Sequence, residues 1–422
     1  MLPSQYPKAI HTLTPLGVFV TLAAMFAIPS GYSYGAVLLL AASLLFLAQR
    51  PGGWNLSQDD KLMAWVLLAY FAIPSLMTAL LGNDPTDYDQ YSRSLLAIPI
   101  LFLLIRVPVN LKTLWAGVAL GIVLAAPLAW WQINIQHLPR ASGFLNVIHF
   151  SNLCLVFTVF CASGFYWAAQ QPRHANRWRA AFALGIVCGI YSVIMGGSRG
   201  SWVALPPVAA VFLIAFSSRR NAGRIILAGI ACAVVIAGLF TLPGSPLKTR
   251  YDQGAHDIAQ YEKDNPDTSI GARFEMWQGA RDNLRMHPLL GWNTKDYAQS
   301  LAERVDEGRL APIALEFSNN LHNNYLQAWV FTGLPGLLAL LALFGLPLWH
   351  FAKRLRDADI TTRVLAFCGT SNIVAYLCFC LTQVVLRRNN GIMFYLLVTL
   401  ILWGAMHHAS LATAGTQHEA RR

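Results

Sequence analysis

The chain has 422 residues, of which 55% are hydrophobic and only 12% charged, with a formal net charge of +11. Soluble domains carry about 25% charged residues, so a water-soluble globular fold is excluded. The positive charge is spread over many short loops and forms no continuous patch, which excludes nucleic acid as the natural partner.

The apolar residues run in long blocks instead of amphipathic stripes, which indicates membrane-spanning helices. The blocks predict about twelve spans, at 14–31, 34–49, 61–81, 92–106, 111–131, 146–169, 180–196, 200–217, 224–242, 322–350, 363–386 and 390–408. The fold class is an all-α integral membrane protein. No small-residue cleavage site follows the first span, so no removable leader is expected. Three segments follow: 1–242 with spans one to nine, 243–321 as one large external loop, and 322–422 with the last three spans and a short cytoplasmic tail. Within the loop, LPGSPLKTRYDQGAHD reads as irregular, 269–286 as a helix capped by Ser269, and 294–306 as a second helix.

Charge sets the orientation. Lys and Arg collect in short cytoplasmic loops. Arg50/Lys61, Arg106/Lys112, Arg173/Arg177/Arg179, Arg219/Arg220/Arg224, Lys353/Arg354/Arg356/Arg363 and the terminal Arg421-Arg422 all fall on one side if both termini are cytoplasmic. The loop 243–321 then lies outside the membrane, with the next span starting beside it. All seven cysteines (Cys154, Cys161, Cys188, Cys232, Cys368, Cys378, Cys380) fall inside apolar spans and are expected to serve packing. No Cys/His or carboxylate cluster suggests a metal site.

Against that charge pattern, Arg93, Arg140, Arg199, Arg387 and Arg388 stay in short external loops. One ordinary role for such residues is to anchor on the phosphates of membrane lipids. Arg199 stands in GGSRGSW, a tight glycine turn. Flanking glycines bare backbone N–H groups, and a fixed guanidinium can grip phosphate oxygens in pairs. In the loop helix, Arg273, Trp277 and Arg281 follow at i, i+4 and i+8, nearly on one face. Arg273 is expected to face the same external cavity as Arg199, with Trp277 packing. The loop ends at LHNNYLQAWVFTGLPG, where His322-Asn323 precedes Gly333 and Gly336 and Tyr325 comes one turn later. An imidazole at a membrane boundary is costly unless it has a task, and the glycines are expected to let a neighbouring helix approach closely. Two cations for a diphosphate, a neutral base and a body that can shelter a long lipid chain suit glycan transfer from a polyprenyl diphosphate.

Three elements in order resemble the O-antigen ligase family: Ser198-Arg199-Gly200, the loop element Arg273…His287-Pro288…Gly291, and His322-Asn323 with Gly333 and Gly336. The resemblance implies a GT-C-like glycosyltransferase of the bacterial inner membrane with a helical periplasmic loop, a periplasmic active site and no metal or other cofactor. It implies His322 as the catalytic base and Arg199 and Arg273 as diphosphate holders. Asn323, Tyr325, Arg281, Arg387 and Arg388 are candidates for further substrate contacts. The implied donor is undecaprenyl-diphosphate-linked O-antigen and the acceptor lipid A–core. The implied reaction completes lipopolysaccharide, and a single displacement by the hydroxyl would invert the donor carbon. An O-antigen polymerase or a protein O-oligosaccharyltransferase is the alternative within the family, and a lipid or polysaccharide transporter the alternative from another class.

The topology is testable directly. A cysteine replacing Asp257 or Glu303 should react with an impermeant maleimide in intact spheroplasts, and one replacing Arg177 or Arg356 should not. The reverse pattern would put His322 in the cytoplasm.

Overall fold

The computed structural model describes residues 6–50, 52 and 56–419. Arg421-Arg422 and the side chain of Cys232 lie outside the described residues. Nine helices come first: α1 (Lys8–Ala23), α2 (Gly31–Ala48), α3 (Gln58–Leu80), α4 (Tyr88–Arg106), α5 (Leu111–Asn134), α6 (Val147–Ala168), α7 (Ala175–Gly196), α8 (Arg199–Phe216) and α9 (Ala222–Thr241). Four more polar helices follow: α10 (Pro246–Tyr261), α11 (Gly271–Met286), α12 (Thr294–Asp306) and α13 (Ile313–Glu316). The chain ends with α14 (Asn324–Ala352), α15 (Ile360–Thr382) and α16 (Asn389–Glu419), and no strand occurs among the described residues.

Ten of these helices are long and apolar enough to cross a membrane: α2, α3, α5 to α9, and α14 to α16. The other two expected spans are also helices. α1 is apolar but only 16 residues long, and the 19-residue α4 opens with the polar sequence YDQYSRS. The first span differs most from expectation, since α1 runs from Lys8 to Ala23 and not over 14–31. The chain turns at Ser30, with φ 54°, and Gly31 already starts α2.

Lipid is as apolar as the side chains themselves, so helix association rests on close packing and satisfied polar groups. α6, α15 and α16 form the buried centre, with α15 packed on α6, α8, α14 and α16. α9 faces outward along its length. Of the cysteines, Cys154, Cys161, Cys368 and Cys380 are buried and Cys188 and Cys378 half-buried, all unbonded. Polar rivets hold the ends. At one end Asp60 closes the N-terminus of α3 with Ser57 and accepts the indole N–H of Trp403 at 2.8 Å. Asp59 beside it meets His350 at 2.8 Å and Lys353 at the far end of α14.

At the other end, α14 is broken at Gly333, with φ 64° and ψ −174°. The break severs the helical bond that Leu334 N–H would make to Val330 C=O. Residues 289–292 replace it: Trp292 N–H donates to Val330 O at 2.7 Å, and Leu334 N–H donates to Leu289 O at 2.9 Å. Pro335 has no N–H to offer Phe331 C=O, and the Asn83 amide donates to that oxygen at 3.4 Å. The Trp329 indole donates to Pro288 O at 2.7 Å. Gly333 therefore admits a loop and not a neighbouring helix, while Gly336 leaves space for Thr332 of its own helix. A Cβ on Gly333 would come within 2.5 Å of Leu289 O, and one on Gly291 within 2.6 Å of Val330 O.

Two local expectations fail. LPGSPLKTRYDQGAHD is largely helical: Pro246 takes the first position of α10 and Ser245 caps it, accepting from Lys248 N–H at 3.4 Å. Ser269 does not cap α11. The Thr268 hydroxyl accepts from Gly271 N–H at 3.1 Å, one residue earlier.

Gly333→Ala should lower the thermal unfolding midpoint of the detergent-solubilised protein. A non-glycine residue held in such backbone geometry costs about 1–3 kcal/mol, and the added methyl also displaces Leu289. An unchanged midpoint would show that the break does not need glycine.

Candidate functional site

α7 ends at Gly196 and α8 begins at Arg199, so only Gly197 and Ser198 join them. Gly197 takes φ 55°, and this left-handed turn reverses the chain. The turn is fixed from below by α6. Ser198 N–H donates to the Ser151 hydroxyl at 3.3 Å, Ser151 donates to Val193 O at 3.0 Å, and Ser201 donates to Asn152 Oδ1 at 2.8 Å. The free N–H groups at the start of α8 thus sit in a rigid frame that favours anions.

Four arginines gather here. Arg140, from the α5–α6 loop, donates to Gly196 O at 2.9 Å and Gly197 O at 3.1 Å. Arg250, on α10, donates to Gly197 O at 3.1 Å. Arg199 pairs with Asp257 of α10 at 3.0 Å. Gly254 of α10 faces it, and a Cβ there would rest in ordinary contact, 3.5 Å from the guanidinium carbon. Arg273, on α11, is mostly buried, and its Nε has no partner among the described residues. Burial, then the charges of Arg199 and Arg250, lowers its pKa, and Asp257 opposes this. The same crowding acts on Arg140, pushed down to about 10 by burial and by Arg250 and Arg199. Arg250 is lowered by burial and Arg199. Four guanidiniums with Asp257 as the carboxylate among them form a site built for a polyanion.

His322 stands beside this cluster. The Trp277 indole of α11 donates to Leu321 O at 2.9 Å, and Gln327 Oε1 accepts from Leu321 N–H at 2.9 Å. Asn323 caps α14, accepting from Tyr325 N–H at 3.0 Å and Leu326 N–H at 3.1 Å. Held on both sides, His322 adopts φ 48°, a strained geometry for a residue with a side chain. Its ring lies edge-on to Phe317, with centroids 5.7 Å apart. Nδ1 is buried with no partner among the described residues. Burial and the nearby Arg273 lower the imidazole pKa, the Gln383 side chain raises it by hydrogen bonding, and Arg388 lowers it further. The ring therefore stays neutral, a proton acceptor, below the ordinary imidazole range.

The structure brings together Arg199, Arg273 and His322. The other candidates fall into three groups. Asn323 is the helix cap, and the Tyr325 hydroxyl donates to Leu377 O at 2.9 Å. Arg281 is exposed and pairs with Asp282 at 3.3 Å. Arg387 bonds Asn319 O and Asp87 Oδ1, while Arg388 is exposed and acts on His322 through its charge. Arg93 pairs with Asp89, one turn away on α4. Sequence reasoning missed Arg250, Asp257 and Gln383. The first two lie on the helix that was read as irregular chain. The Ser245-Pro246 start was the signal that could have found it.

Residues 184–341 match the O-antigen ligase family model. That segment contains Arg199, Arg250, Arg273 and His322. An uncharacterised protein of Haemophilus influenzae is 27% identical over 373 residues, covering 87% of this chain and 92% of that protein. The O-antigen ligase of Escherichia coli K12 is 26% identical over 200 residues, covering 46% of this chain and 47% of that protein.

Arg250→Ala should weaken binding of inorganic pyrophosphate in a calorimetric titration by roughly tenfold or more, the worth of a hydrogen bond to a charged group. The exposed Arg281→Ala should not. Equal affinity for the wild type and the Arg250 variant would remove Arg250 from the anion site.

Proposed function

We propose, on the premise of a chain whose residues 184–341 carry an O-antigen ligase segment, that this multi-pass membrane protein is an O-antigen ligase. It joins O-antigen polysaccharide from undecaprenyl diphosphate to a sugar hydroxyl of lipid A–core on the periplasmic side of the bacterial inner membrane. The observation that carries the reading is the convergence of Arg140, Arg199 and Arg250 on one glycine turn, with Arg273 near Arg199 and a neutral His322 near Arg273. The placement of the Lys- and Arg-rich loops at the opposite end supports the periplasmic side. There Arg106 bonds Gly52 O at 2.7 Å and Arg356 bonds Ile214 O at 3.0 Å.

The step follows from these groups. The guanidiniums hold the diphosphate and stabilise the charge it gains as it leaves. The acceptor oxygen forms its bond to the donor sugar's C1. The bond from C1 to the diphosphate oxygen breaks, with its electron pair going to the phosphate. The hydroxyl proton passes to the neutral imidazole of His322. One displacement inverts C1. His322 is the base, and Trp277 and Gln327 are positioning residues that hold Leu321 and hence the imidazole.

Reconstitution tests the reading. The purified protein, given lipid-linked O-antigen and rough lipopolysaccharide, should produce a ladder of O-antigen on lipid A–core. Longer glycan on the lipid carrier would mean a polymerase. No transfer to any acceptor would sink the proposal.

His322→Ala should lower turnover by about 10²–10⁴-fold, the usual contribution of a general base, with donor binding kept. His322→Gln keeps a hydrogen bond but cannot take the proton, so it should be nearly as poor. In the native protein the lowered imidazole pKa fixes the direction of the pH profile. Activity should be full above the ordinary imidazole range and should fall only as pH drops below about 6.5. An acid limb centred above that value would contradict the neutral-base assignment.

A further inference from the structure

A second polar space lies next to the His322 segment and is unused so far. It is a cavity of about 540 Å³ between the α3–α4 connection, the start of α12 and the first half of α14. Its size falls within the range of small-ligand sites, about 300–1,000 Å³. None of its described wall residues lies on α8, α10 or α11, the helices that carry Arg199, Arg250 and Arg273. The wall does share chain with the catalytic segment, because Asn319 and Asn324 flank His322. Arg387, also in the wall, bonds Asn319 O.

From this geometry we infer that the cavity binds the terminal sugars of the acceptor glycan and presents one hydroxyl to His322. The inference rests on the glycosyl-transfer reading above.

The lining offers partners for saccharide hydroxyls, beside apolar surface from Pro74, Ala328, Phe331 and Val384. Gln90 and Asn319 present amides, which both donate and accept. Asp84 and Asp87 present carboxylates that can accept from adjacent hydroxyls, and Lys295 stands at the rim. The side chains of Gln90 and Lys295 make no hydrogen bond to other described residues and are available to a ligand. Tyr70 and Tyr91, edge-on at 5.7 Å, close the floor with aromatic surface. The donor's diphosphate is better served by the four arginines elsewhere. Single displacement also places attacking oxygen and leaving group on opposite sides of C1. With the diphosphate on the α8–α10–α11 side, the acceptor comes from the α3–α12–α14 side.

The test uses the full chain in nanodiscs with rough lipopolysaccharide as acceptor and lipid-linked O-antigen as donor. Gln90→Trp fills the cavity from α4, and Lys295→Trp narrows it from its exposed rim, where the fold is not at risk. Each should raise the KM for rough lipopolysaccharide by about tenfold or more, as expected when ordinary hydrogen bonds are lost, and leave the KM for the donor unchanged. Unchanged acceptor KM in both folded variants would overturn the inference. A raised donor KM would overturn it too, because the cavity would then hold donor glycan. Direct binding of rough lipopolysaccharide separates the two failures. If the wild type binds it but transfers nothing, the transferase reading fails, and loss of binding in the Trp variants still decides the cavity.

Discussion

A backbone polar group cannot stay unpaired at membrane depth, and this constraint organises the functional end of the molecule. The break at Gly333 frees Val330 C=O and Leu334 N–H, and residues 289–292 bind both. A polar loop that would otherwise stand in water is thereby bolted to a membrane helix. The bolt sets the start of α12, where Thr294 N–H donates to Asn83 Oδ1 at 2.7 Å and the Asn293 amide donates to Leu81 O at 2.6 Å. It also sets the end of α11, where the Trp292 indole donates to Asn283 O at 2.9 Å. From α11, Trp277 reaches the residue before His322. The position of the imidazole is therefore a downstream result of a broken helix.

Electrostatics completes the arrangement. Arg140, Arg199, Arg250 and Arg273 repel one another in a half-buried space, and Asp257 relieves only part of that repulsion. Glu275, the nearest carboxylate in sequence to Arg273, is turned elsewhere: it accepts from the Tyr261 hydroxyl at 3.0 Å and from Ala311 N–H at 2.8 Å. Those bonds fasten α11 to α10 and to the approach to α13, so the scaffold consumes the charge that could have neutralised the site. Such frustration is the mark of a binding place for anions, and its turn is held by hydrogen bonds to Ser151 and Asn152 of α6.

Most of the architecture was legible because apolar runs of span length have few other solutions. α3, α5, α6, α8 and α15 begin and end within a few residues of the expected blocks. α1 was misplaced because the apolar run continues through the turn at Ser30, where no charge marks the break. Arg199 and His322 stood out because each is out of place for its surroundings, a cation or an imidazole at the external boundary, and Arg273 because it shares one face of a regular loop helix with Trp277. Arg250 could not, since an arginine in a polar loop looks ordinary until the loop is seen to fold back on Gly197. The role of Gly333 was misread for a related reason. Sequence reports that something approaches a glycine but not what.

The four arginines come from four separate stretches of chain, and the imidazole comes after all of them. No fragment released early in synthesis contains the whole constellation. While the chain is still entering the bilayer, its first eight helices hold Arg140 and Arg199 without Arg250, Arg273 or His322. An unfinished molecule therefore lacks the assembled cluster, which is complete only when α14 inserts and its break is filled. Order of manufacture thus leaves the cluster incomplete until the last part of the chain is in place.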